Sequence, residues 1–250
     1  MRAVVSDLHA NKEALEAVLR DISAQGVDEI WCLGDVVGYG PDPIDCVDLV
    51  MWNCTLCLMG NHDWAVVNAP VGFNSAATRM VYQTKLWMQL TEESTEQERA
   101  RWDFLANLPL RRSEGGRLLV HASPRAELTE YILPNDVRYD QPKLQEIMQM
   151  FEGVCMVGHT HIPCCITEDL ELILPEGNGF TVELGQKKMI VNIGSVGQPR
   201  DGDKRACYVT LEDGLVRYHR VEYRLDKTVD KISALGEEFE VLGYRLTIGR

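Results

Sequence analysis

The stretch RAVVSDLHANKEALEAVL, residues 2–19, decides the fold. It opens with a short apolar run that ends in polar residues, which is typical of a buried parallel strand. From Asn11 onward the apolar side chains recur at the spacing of one helical face, at Ala14, Leu15, Val18, Leu19 and Ile22. Asn11 is a candidate N-cap and Gly26 a candidate stop signal. The stretch therefore predicts a strand followed by a helix.

The same alternation continues along the chain. VDEIWCLG (27–34), CTLCLMG (54–60), GRLLVHAS (116–123) and GVCMVGHTH (153–161) are strand-like, and PIDCVDLVM (43–51) and residues 142–151 are helical. Such alternation predicts an α/β fold built from right-handed crossover units, with helices packed on the sheet. A hairpin is expected to turn at Asp213-Gly214, and a final helix to begin near Leu225.

Residues 70–110 differ from this pattern. They contain two helical stretches, 74–90 and 94–108, and Ser94 with Gln97 forms a candidate capping box for the second, which is stopped by Pro109. We interpret them as a helical insertion within a single domain that spans residues 1–250. The apolar residues of this insertion are expected to be core, because they recur at helical spacing.

Composition restricts the function classes. The chain has 250 residues, 45% of them hydrophobic, and a net charge of −13. The acidic charge argues against a duplex nucleic acid partner or an anionic membrane, since both are bound through Lys and Arg clusters. No segment approaches the roughly 18 apolar residues of a membrane span, and the start of the chain does not resemble a signal peptide. A cytoplasmic location is the expectation, and the sequence leaves the oligomeric state open.

The eight cysteines allow one alternative, a zinc clip formed by CTLC (54–57) with Cys164 and Cys165. Residues three apart on a strand point to opposite faces, so this clip is not favoured. In a reducing compartment the cysteines are expected to remain thiols.

Five of the six histidines lie at the end of an apolar strand, in SDLHAN, MGNHDW, VHAS and VGHTH. Carboxylates or amides accompany most of them, as does the aspartate of LGDVVGYG. Side chains just past the carboxyl ends of strands in an α/β sheet converge on one edge. Any single strand-end Asp or His is usually a turn or capping residue, but five such clusters together predict a site for cations.

These motifs, in the order SDLHAN, GDVVGYG, GNHD, VHAS and GHTH, resemble those of the calcineurin-like metallophosphoesterases, in particular the small bacterial and archaeal phosphodiesterases and phosphatases. A later stretch, NIGSVGQPRDGD (192–203), is similar to a further loop of that group. The resemblance implies a four-layer αββα sandwich that holds two metals bridged by one carboxylate. Position by position, it implies seven metal ligands: Asp7, His9 and His161 for the first metal, Asn61, His121 and His159 for the second, and Asp35 between them.

Such a site would hydrolyse a small phosphate mono- or diester. Two metals a few ångströms apart acidify a bridging water, so that the resulting hydroxide attacks phosphorus in line. The mixed nitrogen and oxygen ligands suit Mn, Fe, Co or Zn, and manganese is favoured. Two divalent cations also make the pocket positive inside an acidic protein, which favours a phosphate ligand.

The three polar residues of GNHD receive separate roles in this interpretation. Asn61 is a neutral metal ligand, and His62 is the candidate general acid that protonates the leaving oxygen. Asp63 either orients His62 or caps the following turn. Asn11 is a candidate phosphate ligand as well as a candidate N-cap. Arg200 either reaches the phosphate as a bidentate donor or lies in a solvated loop.

Two residues receive structural interpretations. Tyr39 is expected to pack within its loop, and His219 to be structural or exposed. Two alternatives to the phosphoesterase hypothesis remain: a non-catalytic metal-binding scaffold of the same fold, and a nuclease, against which the acidic charge argues.

Overall fold

A computed structural model describes all 250 residues, and its first elements follow the predicted order. Strand β1 spans Arg2–Val5, and helix α1 spans Lys12–Ala24. Asn11 is the N-cap of α1, since its side chain accepts a hydrogen bond from the Ala14 backbone amide. The predicted strand–helix unit is therefore confirmed.

Helices separate most of the remaining strands up to Val157, and the six strands between Cys164 and Val221 then follow one another without a helix. The other strands are β2 Glu29–Cys32, β3 Leu56–Cys57, β4 Arg111–Glu114, β5 Arg117–Val120, β6 Val154–Val157, β7 Cys164–Thr167, β8 Leu172–Ile173, β9 Thr181–Glu183, β10 Met189–Asn192, β11 Ala206–Glu212 and β12 Leu215–Val221. The other helices are α2 Pro43–Asn53, α3 Asn61–Val67, α4 Ser75–Met88, α5 Glu96–Ala106, α6 Asp136–Tyr139, α7 Gln141–Met148, α8 Leu225–Ser233 and α9 Glu240–Ile248.

The strands form two six-stranded sheets. The first has the order β3-β2-β1-β11-β12-β9, and the second the order β4-β5-β6-β10-β7-β8. Strands β1, β2 and β3 are parallel, as are β5, β6 and β10, so their carboxyl ends lie at common edges. The β11–β12 hairpin turns at residues 213–214, as predicted.

Alternation along β1 shows how the layers are held together. Ala3 and Val5 pack with α1 on the outer face of the first sheet, whereas Val4 packs with residues of the second sheet, such as Met156 and Val191. Successive side chains of a strand point to opposite faces, so one strand supplies two apolar layers. A third cluster lies between the second sheet and α7. The predicted αββα sandwich, two sheets flanked by helices, is confirmed.

Helices α4 and α5 occupy the region 70–110, as predicted, and pack against α2 and α3. The capping box of α5 lies one residue later than expected. Thr95 and Glu98 cap each other's backbone amides, because the Ser94 hydroxyl already accepts from the Thr91 amide. Helix α3, which begins within GNHD, was not predicted. The division into a single domain with an insertion remains a prediction.

The C-terminal segment contains two helices rather than the single one expected. A 3-10 turn at Glu237–Phe239 separates α8 from α9. Together they pack on Tyr39 and on α4 through an apolar cluster that includes Ile232, Phe239 and Leu242. None of the helices is both long enough and apolar enough to cross a bilayer.

Candidate metal centre

The carboxyl ends of the parallel strands supply the candidate ligands through left-handed turns. Asp7 and His9 follow β1 with φ of 54° and 48°, and His159 and His161 follow β6 with φ of 62° and 61°. The pairs two residues apart therefore converge from left-handed turns. Asp35 has the same conformation, with φ of 54°. This strained region is sparsely populated by non-glycine residues and often marks a functional site.

Backbone hydrogen bonds fix these turns. The Asp7 amide donates to the Gly34 carbonyl and the His9 amide to the Asp35 carbonyl, each at 2.9 Å. Glycine permits the close approach of the third strand end, since a Cβ on Gly60 would lie 2.1 Å from Oδ1 of Asp35. The side chains thus project from a backbone that has little freedom.

Four candidate ligands form a first buried group: Asp7, His9, Asp35 and His161. Nε2 of His161 lies 3.0 Å from Nε2 of His9 and 3.2 Å from Oδ1 of Asp7. Nε2 of His9 lies 3.6 Å from Oδ2 of Asp35. These atoms are close enough together to bind one cation.

A second buried group comprises Asp35, His121 and His159. Nε2 of His121 lies 3.5 Å from Oδ2 of Asp35 and 3.1 Å from Oδ1 of Asn61. Asn61 is thus placed beside the second group, as the sequence predicts. Asp35 is common to both groups, which is the arrangement expected of a bridging carboxylate.

The ring nitrogens of three histidines are ordered by backbone carbonyls. Nδ1 of His161 lies 2.6 Å from the Gln198 carbonyl, and Nδ1 of His121 lies 2.9 Å from the Leu33 carbonyl. His9 makes a longer contact of the same kind, 3.3 Å, with the carbonyl of Val37. A carbonyl only accepts, so Nδ1 of each neutral ring carries the hydrogen and Nε2 presents a lone pair to the cluster. This is the usual support of a metal-binding histidine.

Two observations show that the cluster fits cations. Nε2 of His159 is buried without a hydrogen-bond partner, which is costly for a polar atom unless a ligand binds it. The two Nε2 atoms of His9 and His161 face each other at 3.0 Å, although both rings are oriented to present lone pairs there. Mixed imidazole and carboxylate donors suit first-row divalent metals. The buried Asp/His cluster is therefore able to bind metal.

A cavity of about 530 Å³ opens over this cluster. Its floor includes Asp35, Asn61, His159 and His161, and its wall includes His62 and Arg200. The size is in the range of cavities that bind small molecules.

Comparison with known proteins agrees with this geometry. The profile of the calcineurin-like phosphoesterase superfamily domain matches residues 1–214. The chain belongs to the calcineurin-like phosphoesterase superfamily. The predicted enzyme class, a phosphoric ester hydrolase, is thereby confirmed.

Individual members of this phosphoesterase superfamily align over different lengths. An uncharacterised protein of Methanocaldococcus jannaschii is 38% identical, over 100% of this chain and 98% of its own. The crystal structure of a metallophosphoesterase from Sphaerobacter thermophilus is also 38% identical, with a TM-score of 0.83 over 100% of this chain and 98% of that chain. A symmetrical bis(5'-nucleosyl)-tetraphosphatase of Actinobacillus pleuropneumoniae is 30% identical over 137 residues, which are 52% of this chain and 48% of the relative.

Burial and neighbouring charges determine the protonation of the histidines and aspartates in the two ligand groups. Burial lowers the pKa of His159 to about 3, and it also lowers the pKa values of His9 and His161. Burial alone would raise the pKa of Asp7, but His161 holds it well below its usual range. Burial opposes the charged form of His121 too, yet Asp35 raises the pKa of this ring to about 10. Most imidazoles are thus neutral and available as ligands, whereas His121 must release a proton to become one.

His62 lies in the cavity wall and is 2% exposed. Its ring centroid is 4.8 Å from that of His9, and its Nδ1 has no hydrogen-bond partner. Burial lowers the pKa of the ring to about 4. The His62 backbone amide donates to Oδ1 of Asp35 at 2.8 Å, so this residue both faces the cavity and supports the carboxylate common to the two groups.

Asp63 serves the capping alternative. Its carboxylate accepts from the Val37 amide at 3.1 Å and from the Gly60 amide at 3.0 Å, and it makes no hydrogen bond to the His62 ring. It therefore caps α3 and ties together two of the loops that carry ligands. Burial, followed by the charge of Asp35, raises the pKa of Asp63 to about 7.

Asn11 is likewise used by the fold. Its Oδ1 accepts from the Ala14 amide and the Thr228 hydroxyl, and its Nδ2 donates to the Gly197 carbonyl at 2.9 Å. The side chain is 1% exposed and lies outside the cavity wall. Asn11 therefore caps α1, which is one of its two predicted roles, and joins this helix to α8. Its other role, as a phosphate ligand, stays a prediction.

Arg200 lies in the cavity wall, as the functional interpretation requires. Its guanidinium donates to Oε1 of Gln198 at 2.8 Å, and its Cζ lies 5.6 Å from the centroid of the Tyr39 ring. It has no carboxylate partner, so its charge is available to an anion in the cavity.

Sequence reasoning missed four aromatic residues of the cavity wall: Tyr39, Trp64, Phe73 and Tyr131. Tyr39 packs in its loop as expected, but its ring also lies 4.4 Å from that of His62 and lines the cavity. Its position between two glycines of the GDVVGYG motif could have identified Tyr39 as a residue of the site. Phe73 and Tyr131 lie in irregular segments without periodicity, so no pattern marked them.

Proposed function

We propose that this chain hydrolyses small phosphate mono- or diesters with two divalent cations. The observation that carries the proposal is the position of Asp35, which belongs to both ligand groups at the floor of an open cavity. The first cation would be held by Asp7, His9 and His161, and the second by Asn61, His121 and His159, with Asp35 shared. Manganese is favoured among Mn, Fe, Co and Zn.

When bound, two such cations supply an acidified water as nucleophile and neutralise charge that develops on the phosphoryl oxygens. The chain's own residues bind and orient the substrate. Arg200 contacts a phosphate oxygen, since it is the cation of the cavity wall and lacks a carboxylate partner. The neutral imidazoles of His9 and His161 preserve their Nε2 lone pairs by donating Nδ1–H to backbone carbonyls.

His62 donates the proton to the leaving oxygen. Its ring lines the cavity, and its Nδ1 is buried beside Gly38, so Nε2 is the nitrogen that would donate. Burial holds its pKa at about 4 in the unliganded chain, so the protonated ring has to be favoured by the anionic substrate. Asp63 acts on His62 only through the backbone, by capping the turn from which the ring projects.

The substrate is a small molecule, and a nucleotide is the class we favour. The partial likeness to a nucleotide tetraphosphatase supports this class. The net charge of −13 argues against long nucleic acids. A cytoplasmic location remains a prediction from the sequence.

Turnover of three substrates by the Mn²⁺-loaded protein tests the proposal: a bis-aryl phosphodiester, an aryl phosphate monoester and single-stranded DNA. We expect hydrolysis of at least one aryl ester, little DNA cleavage, and a loss of about 10³-fold or more in kcat/KM for Asp35→Asn, since cation stabilisation of the transition state contributes several kcal/mol. Asp45→Asn, at an exposed ion pair with Lys12, is the matched control. Inactivity on both aryl esters, or an Asp35→Asn variant equal to wild type, would contradict the proposal.

A further inference from the structure

We propose that the cavity wall beside the metal centre binds a planar aromatic group of the substrate, and that this group is a nucleobase. The inference rests on the proposed function, because it concerns the substrate of the same site. Two segments of this wall are defined here as the planar-group subsite: Val71 and Phe73, which precede α4, and Leu128 and Tyr131, which follow β5.

The subsite exposes apolar side chains inside a cavity. Val71 is 71% exposed and Tyr131 is 47% exposed, although neighbouring apolar residues of α4 such as Ala77 are fully buried. Exposed apolar surface that is concentrated in one concave site usually marks a ligand contact. A phosphate group alone would not cover this surface.

Each aromatic ring of the subsite adjoins a histidine of the metal centre. The Phe73 ring lies 4.6 Å from the His62 ring, nearly perpendicular at 85°. The Tyr131 ring lies 4.2 Å from the His159 ring, tilted by 33°. A group attached to a phosphate at the metal centre would therefore reach both aromatic rings within a short distance.

Polar atoms on the same wall favour a nucleobase over a plain hydrocarbon group. Asn74 accepts from the Ala77 amide through Oδ1, which leaves its amide nitrogen as a donor on the cavity wall. Thr129 adds a hydroxyl to the opposite side. Aromatic faces together with a few donors and acceptors are the features that bind a base by stacking and by hydrogen bonds to its edge.

Two ligands that differ only in the base measure the contribution of the subsite. We would titrate adenosine 5'-monophosphate and ribose 5-phosphate into the Mn²⁺-loaded protein and compare the Kd values by calorimetry. Stacking of one base strengthens binding by about tenfold or more, so the wild-type ratio of the two Kd values is expected to be about ten or above. A ratio close to one would overturn the inference.

Variants then locate the effect. Phe73→Ala and Tyr131→Ala should each lower the ratio severalfold, and Phe73→Leu, which keeps an apolar contact with His62, should lower it as well. Leu86→Ala and Tyr139→Ala are matched controls, because these residues are 64% and 73% exposed on helices outside the cavity wall. A ratio that is unchanged in both alanine variants would contradict the subsite even if the wild type discriminates.

Binding and turnover separate the two proposals. If the ratio is high and depends on Phe73 and Tyr131 but no phosphate ester is hydrolysed, the subsite stands and the proposed function fails. If aryl esters are hydrolysed in an Asp35-dependent way but the ratio is close to one, the proposed function stands and the subsite is refuted.

Discussion

The metal centre and the planar-group subsite lie in one cavity but are built in opposite ways. Every candidate Asp and His ligand is at most 5% exposed, and turns anchored by backbone hydrogen bonds hold several of them. The subsite instead uses side chains from irregular segments, and two of its four residues are at least 47% exposed. The metal centre is positioned by strand ends, whereas the planar-group subsite is formed by loops beside it.

This difference indicates which of the two regions tolerates substitution better. A change in the metal centre disturbs strand ends that also hold the sheets together, whereas Tyr131 belongs to none of the apolar core clusters. Phe73 packs against two of these clusters, but only as a partly buried residue. In the function that we propose, the active-site chemistry lies on a rigid scaffold and the specificity on the loops around it. The following experiments test that contrast, beginning with the largest expected effect.

Asn61→Ala and His62→Ala should separate metal binding from proton transfer. His62→Ala should retain both cations and lose about 10²- to 10⁴-fold in kcat on esters with poor leaving groups, the usual contribution of a general acid. Its loss on esters with good leaving groups should be smaller. Asn61→Ala should lose the second cation, whereas Asn53→Ala, at an exposed amide, should lose neither. Metal content by elemental analysis and kcat across a leaving-group series are the measurements. Metal loss from the His62 variant would reverse the assignment.

Gly60→Ala should disturb the metal centre by a steric clash, without removing any ligand. The added methyl would lie 2.1 Å from Oδ1 of Asp35 and 2.2 Å from its backbone nitrogen, so the third strand end must move away. We expect a loss of about 1–3 kcal/mol in the free energy of unfolding, together with weaker metal binding. Gly185→Ala is the matched control, because a Cβ there meets nothing within 4 Å. Denaturant titration of both variants would measure their free energies of unfolding, and elemental analysis would measure their metal content. Equal stability of the two variants would contradict the tight fit at Gly60.

Substitution of Asn11 should change the free energy of unfolding, whereas substitution of Arg200 should change KM. Asn11→Ala removes the N-cap of α1 and the link to Thr228, so it should lower the free energy of unfolding by about 1–2 kcal/mol. Arg200→Gln should leave the unfolding free energy nearly unchanged and raise KM for a phosphate ester by about tenfold, as loss of a charge-assisted hydrogen bond predicts. Chemical denaturation and steady-state kinetics of both variants provide the check. A large KM change with wild-type stability in Asn11→Ala would instead support its predicted role as a phosphate ligand.

The smallest effect is expected at His219, far from the cavity. The ring stacks on Tyr208 at 4.6 Å and lies 2.9 Å from the Thr210 hydroxyl. Burial lowers its pKa below the ordinary value near 6.5, although Asp21 opposes this shift. The unfolded chain therefore takes up a proton first as the pH falls below 6.5, so this residue contributes a loss of stability there and none above. Unfolding free energies from pH 7.5 to 5 should fall less steeply for His219→Gln than for wild type, and identical slopes would contradict this.

Much of the metal centre could be predicted from the sequence, because local patterns mark the strand ends that carry its residues. Apolar runs that end in Asp or His identified the strand ends, and the edge rule for parallel strands brought them together. The structure places all seven predicted ligand residues in or beside the two groups. The register of the α5 cap was off by one residue, since Ser94 and Thr95 are both capable caps and only their neighbours distinguish them.

The sequence by itself determined the order of strands and helices, because periodicity is local. Its ordered strand-end motifs, through their resemblance to the calcineurin-like phosphoesterases, indicated the four-layer fold, the superfamily and the candidate ligands. Tertiary structure alone decided that Asn11 also joins α1 to α8, that Asp63 ties loops together, and that Phe73 and Tyr131 adjoin histidines of the metal centre. These roles depend on contacts between residues distant in sequence: Asn11 meets Thr228 across 217 positions, and Tyr131 adjoins His159 from a loop without periodicity. Such contacts arise only when the two sheets pack and bring their edges together.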